Sequence, residues 1–459
     1  MTQRTGTAAS GGWLSRERTV AGPGFNRWMV PPAALCIHLC IGQVYAFSVF
    51  NKPMTMLIGG TEPAAADWTI SELGWIFSIA ILFLGLAAAF GGTWVERVGP
   101  RKTMATAACL FGGGFVVASL GVVWHQLWLV YLGYGVLGGC GLGLGYISPV
   151  KTLMTWFPDR PGMATGMAIM GFGGGAFIAS PLSVLLMSQF GVSGAFLALG
   201  LIYFTYMMVG AIIVRVPARD WLPEGYTPPR TSKGMITTAN VHVDEALKTR
   251  QFWLLWGILF LNVTAGIGVL GQASLMSQEM FPGTITAAAA AGFVGLLSLF
   301  NMAGRFFWAS TSDYIGRKPT YMIFFALGVV LYALVPTAGN MGSIVFFVAA
   351  YAVILSMYGG GFATIPAYLK DVFGKDYVGA IHGRLLTAWS AAGIVGPVLV
   401  NYLREFQIDA GVPKADAYTV TMYIMAGLLA IGLVLNFLMS PVHRKHHMQA
   451  DARAKPLAA

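Results

Sequence analysis

Arg305 stands in an otherwise apolar run, four residues after Asn301, and the run ends in the polar turn Ser310-Thr-Ser-Asp313-Tyr-Ile-Gly316-Arg317-Lys318. A charge inside a membrane-length helix costs roughly 2.5–3.5 kcal/mol on insertion scales, so such a residue usually faces a cavity and holds a partner or a substrate. A guanidinium stays charged and forks onto a carboxylate with two parallel hydrogen bonds. The bland alternative is an arginine snorkelling toward the headgroups, because Asp313 follows eight residues on. Anion binding is the chemistry this stretch favours.

The elements that must position Arg305 are membrane helices. Of 459 residues, 56% are hydrophobic and 10% charged, against roughly 25% charged in soluble domains. Apolar blocks long enough to cross a ~30 Å hydrocarbon core recur at 28–50, 72–95, 102–124, 127–150, 161–187, 193–214, 251–272, 287–310, 319–337, 343–368, 384–403 and 418–440. The predicted fold class is an all-α membrane protein of twelve transmembrane helices. The formal charge of +10 resides mostly in tails, short loops and helix ends, which reflects membrane topology and not a nucleic-acid partner. With the N-terminus inside, the basic residues outside are Lys52, Arg404 and Lys414, so both termini are expected to be cytoplasmic. Cys36, Cys40, Cys109 and Cys140 lie within spans without metal-type spacing and read as packing residues; no metal or cofactor is implied. The tail 1–26 lacks an apolar core and does not read as a cleaved signal.

The turn after span eight has an earlier copy. Glu96-Arg97-Val-Gly99-Pro-Arg101-Lys follows span two as Asp313-Tyr-Ile-Gly316-Arg317-Lys follows span eight, and Glu96 to Asp313 is 217 residues. At the same offset, Gly162 and Gly166 before span five meet Gly379 and Gly383 before span eleven. Two matches at one offset imply a duplicated six-helix unit: tail 1–26, half 27–216, linker 217–249, half 250–441 and tail 442–459. Parallel repeats of this kind place a substrate between the halves near the midplane.

Other residues sit at depths where they need partners. Gln43 and Tyr45 in span one are either cavity residues or interhelical hydrogen-bond formers, with equal weight. His38 reads as the one histidine deep in a span, more often simply bonded in place. Thr69-Ile-Ser-Glu72 fits a capping box at the start of span two. The glycines of spans four and five lack the strand context of a phosphate loop and read as packing elements. No acidic residue lies in a span interior, which leaves a carboxylate proton relay without members.

The paired turns resemble the signature loop of the major facilitator superfamily, with Glu96 in the acid position and Pro100 replacing a basic residue. Within it, Tyr45-Ala-Phe-Ser, Trp156-Phe-Pro-Asp-Arg-Pro-Gly-Met-Ala-Thr-Gly166 and Asn301-x-x-Gly-Arg305 make the chain similar to the oxalate–formate antiporter family and the monocarboxylate transporters. The resemblance implies two pseudo-symmetric six-helix bundles, with Glu96, Arg97, Gly99, Arg101, Asp313, Gly316 and Arg317 as conformational-motif residues. It implies Arg305 as the carboxylate-binding group and Tyr45, Tyr146, Phe172, Tyr358 and Phe362 as cavity aromatics. Where the oxalate exchanger has a lysine in span eleven, this chain has Trp389; where proton-linked carriers have an aspartate, it has Asn301. Arg384 and His38 are the remaining groups able to supply a second charge or a proton.

The expectation is therefore a plasma-membrane carrier, not an enzyme, that exchanges small carboxylates by a rocker-switch and works as a monomer in the bilayer. Proton-coupled symport and, behind it, drug export are the alternatives.

Overall fold

Backbone groups inside lipid must be satisfied within their own segment, so the apolar runs form helices. The computed structural model describes residues 12–60, 62, 64–219, 221–228 and 234–448. The outermost parts of both expected tails, and residues 220 and 229–233 of the expected linker, lie outside the described residues. Among those described, extended pairing is limited to two isolated bridges, Val20 with Val216 and Val241 with His447.

Ten helices are long and apolar enough to cross a membrane among the described residues. The longest, Pro161–Ile213, is two spans merged across Gly191 (φ 68°, ψ −179°), where the helical path breaks. With the 29-residue helix Ala287–Ile315 as span eight, the count is twelve. Spans one to four are Arg27–Met54, Ile70–Val98, Pro100–Val123 and Leu127–Trp156; spans five and six flank Gly191. Span seven is Arg250–Met280, and spans nine to twelve are Arg317–Asn340, Ile344–Phe373, Val378–Asp409 and Thr419–Phe437. This is the twelve-helix, two-bundle architecture expected from the sequence.

Local signals explain the helix ends. Thr69 accepts from the Glu72 N–H at 3.3 Å while the Glu72 carboxylate accepts from the Thr69 N–H at 2.8 Å, a complete capping box. Span eleven starts six residues earlier than hydropathy suggested, at Val378, because the turn holding His382 is itself buried. Acidic residues that the longer helices take in, such as Glu279 and Asp371, fall in terminal turns.

The duplication is visible in geometry. Gly99 (φ 84°, ψ 171°) and Gly316 (φ 90°, ψ 158°) break the chain identically between spans two and three and between spans eight and nine. Arg101 donates to the Ile212 carbonyl at 3.4 Å, and Lys318, 217 residues on, donates to the Phe437 and Met439 carbonyls at 2.8 and 2.9 Å. In each half a cation thus meets the negative end of that half's last helix. The backbone region of Gly316 is open essentially to glycine alone, with a cost of about 1–3 kcal/mol for other residues. Gly316→Ala is therefore expected to lower the melting midpoint of the detergent-purified protein by several degrees; an unchanged midpoint would contradict that geometry.

Candidate functional site

Arg305 lies ten residues before the end of span eight, about 15 Å along the helix at 1.5 Å per residue. It is fully buried. Its Nε–H donates to Asn301 Oδ1 at 3.0 Å, one turn back on the same helix, and Nη1 donates to the Ile169 carbonyl of span five at 3.4 Å. Nη2 has no hydrogen-bond partner, and Arg305 makes no ion pair among the described residues. Room for the side chain comes from Gly173 and Gly359: a Cβ there would lie 2.9 Å from Nε and 3.1 Å from Cγ.

Six aromatic rings close around this charge. The guanidinium lies 5.4 Å from the ring centre of Phe172 in span five and 5.3 Å from that of Phe362 in span ten. Phe172 packs edge-on against Tyr45 at 5.1 Å and Tyr146 at 5.6 Å. Trp389 of span eleven completes the wall, 5.3 Å from Phe172, 5.4 Å from Tyr146 and 4.6 Å from Phe362. Tyr358 stacks edge-on to Phe362 at 5.3 Å, and its hydroxyl meets that of Tyr45 at 3.1 Å across the seam between halves. Five of the six rings are buried, and Tyr45 keeps partial exposure. The aromatic faces stabilise the cation by a cation–π attraction of up to about 2 kcal/mol in a desolvated site, but they do not neutralise it.

Not every expected residue joins the cage. Gln43 is buried as the acceptor of the Tyr134 hydroxyl at 2.9 Å, the hydrogen-bonding alternative within the first half. His38 is held behind the cage, with Nδ1 3.3 Å from the Ala34 carbonyl and its ring edge-on to Tyr146 at 5.4 Å. Arg384 turns outward to Asp244 at 2.8 Å, beside the short linker helix Val243–Ala246. That pairing commits its charge elsewhere.

The duplicated turns meet the opposite half. Asp313 accepts from the Gly162 and Met163 N–H groups, both at 2.8 Å, at the N-terminus of span five. Arg317 clamps Asp313 at 2.6 Å and Asp371 at 3.1 Å, and it bonds Ser312. The symmetric acid Glu96 is ion-paired with Lys151, and its Oε1 lies 2.8 Å from where a Gly379 Cβ would stand. Arg101 bonds the Trp13 carbonyl at 3.1 Å as well as Ile212, and Arg97 is exposed.

Sequence reasoning missed three members of this region. His382 is as buried as His38 and lies 5.9 Å from Tyr146, so His38 is not the only deep histidine. Lys151 pairs with Glu96 of the first turn and Asp371 with Arg317 of the second. The signal available for His382 was its place in the repeated segment, one residue before Gly383. Among the described residues, no group of His, Cys, Asp and Glu is arranged to hold a metal ion.

A family model described as Major Facilitator Superfamily matches residues 33–397 and again 297–458. The chain is 28% identical over 375 residues to the oxalate:formate antiporter of Oxalobacter formigenes, covering 81% of this chain and 83% of that one. Monocarboxylate transporter 1 of Rattus norvegicus is 23% identical over 431 residues, covering 87% and 83%. In fold, a crystal structure of the Escherichia coli fucose:proton symporter superposes with a TM-score of 0.62 at 14% identity, covering 91% of this chain and all of that one. The chain is a multi-pass membrane transporter of the major facilitator superfamily, related to the oxalate:formate antiporter and the monocarboxylate transporters.

Proposed function

We propose that this protein exchanges small monocarboxylate anions across the plasma membrane, binding each on Arg305 inside the aromatic cage. The observation that carries the reading is the buried Arg305 guanidinium without a carboxylate partner and with Nη2 unpaired. One carboxylate would bring the site to neutrality. A dianion would leave a second carboxylate unpaired in low dielectric, which is costly. The likeness to an oxalate:formate antiporter supports carboxylate chemistry, and Trp389 in the cage wall supports the smaller charge.

Alternating access then follows from the two halves, 27–216 and 250–441, rocking about the seam. Both termini and the Asp313 and Glu96 locks lie on the cytoplasmic side in this reading, so the described arrangement is closed there. Substrate enters past the partly exposed Tyr45 and its hydrogen bond to Tyr358. Asn301 holds Arg305 through a neutral amide. An empty site keeps its full positive charge during reorientation, which favours obligatory exchange over symport with a proton.

Counterflow in proteoliposomes tests the central residue. Arg305→Gln is expected to slow carboxylate exchange by about 10- to 100-fold, the equivalent of roughly 1.5–3 kcal/mol for a hydrogen bond to a charged group; exchange at the parent rate would remove the basis of the proposal. Trp389→Lys is expected to shift preference from monoanions toward oxalate. Unchanged preference would mean that Trp389 does not set the charge accepted.

A further inference from the structure

Tyr358 of span ten bonds across the seam to Tyr45 of span one, hydroxyl to hydroxyl at 3.1 Å. The bond joins the two halves, so it is lost when they rock relative to one another. A phenol that is only 2% exposed then needs another partner. Asn262 of span seven, in the same half as Tyr358, offers one: it is 6% exposed and its Oδ1 has no hydrogen-bond partner.

The two side chains interlock through glycines. The Tyr358 ring fills the side-chain slot of Gly266, where a Cβ would collide with its Cδ2 atom, and Asn262 Oδ1 fills that of Gly361, where a Cβ would lie 2.5 Å away. Gly266 is one turn beyond Asn262, and Gly361 is one turn beyond Tyr358, so phenol and amide occupy adjacent places between spans seven and ten. Both line a cavity of about 20 Å³, the space of one water or one hydroxyl. The third polar side chain in its wall, Tyr332, already donates to the Ala265 carbonyl at 2.8 Å. Tyr358 is therefore the remaining hydroxyl donor of the wall. Gly359, Gly360 and Gly361 follow it directly, and Pro366 lies further along the same helix, a stretch in which span ten can twist.

We propose that Asn262 is a positioning residue of the transport cycle, which receives the Tyr358 hydroxyl when the bond to Tyr45 is lost. Tyr358 is bonded to Tyr45 while the cytoplasmic side is closed and to Asn262 while it is open. The inference rests on reading the described arrangement as closed to the cytoplasm, and it holds for any carried anion. A buried hydroxyl with a partner in only one state would oppose the switch by the cost of leaving it unpaired in the other. Two alternating partners remove that bias.

Spin labels on Lys102→Cys and Lys375→Cys, two exposed positions at the cytoplasmic ends of opposite halves, report opening as a distance distribution without any substrate. Cys36, Cys40, Cys109 and Cys140 are replaced by alanine for this measurement. Tyr45→Phe removes the closed-state bond and is expected to raise the open-to-closed ratio about 2- to 10-fold, the range that one net hydrogen bond represents. Adding Asn262→Leu should cancel that rise, and neither substitution should act once Tyr358 is replaced by Phe. Parent-like distances in Tyr45→Phe, a rise that Asn262→Leu leaves intact, or an effect that persists beside Tyr358→Phe overturns the switch. Should Asn262→Leu fail to purify as a monodisperse protein, Asn262→Ala takes its place with the same expected outcomes. The carboxylate reading stands or falls separately, on exchange by Arg305→Gln.

Discussion

A guanidinium is held at mid-helix in an apolar bundle, with no acid beside it among the described residues. Removing such an ion from water costs several kcal/mol even after relaxation. The fold offsets that cost with dipoles and quadrupoles: the Asn301 amide oxygen, the Ile169 carbonyl, and the faces of Phe172 and Phe362. None of these carries a charge. Glycines at 173 and 359 admit the side chain, and spans from both halves supply the surrounding rings. The site is therefore built to hold a positive charge and to leave it uncancelled.

The same economy governs the opposite end of the seam. Asp313 draws two backbone N–H groups of the other half to itself and is steadied by Arg317, while Glu96 answers with Lys151 near Gly379. The two turns occupy corresponding places in the repeat but pair differently, because Pro100 stands where the second copy has Arg317. A switch between states requires ligand binding and lock opening to be comparable in free energy.

Much of this was legible before the fold was known. Hydropathy, the 217-residue repeat and the lone arginine led to twelve helices in two bundles and to Arg305 at the seam. The cage was legible only through family resemblance, since periodicity alone does not tell lipid-facing aromatics from inward ones in an all-apolar helix. Gln43 shows the limit: its type demanded a partner, and Tyr134, 91 residues away, turned out to be that partner. Arg384 had the right charge and nearly the right position, but Asp244 of the linker captured it. His382 escaped notice because the polar turn around it, Ile381-His-Gly-Arg384, lowered the local hydropathy where span eleven in fact begins. Long-range pairings of this kind depend on tertiary placement, which no local pattern encodes.

The central claim is that one negative charge completes the Arg305 site. Isothermal titration of the detergent-purified protein with lactate and with its neutral amide, lactamide, measures that contribution directly. The two molecules match in size and differ in the charge presented to the guanidinium. Lactate should bind at least about tenfold more tightly, as expected of ~1.4 kcal/mol or more from a charge-assisted pair. Equal affinity for the amide would contradict the claim.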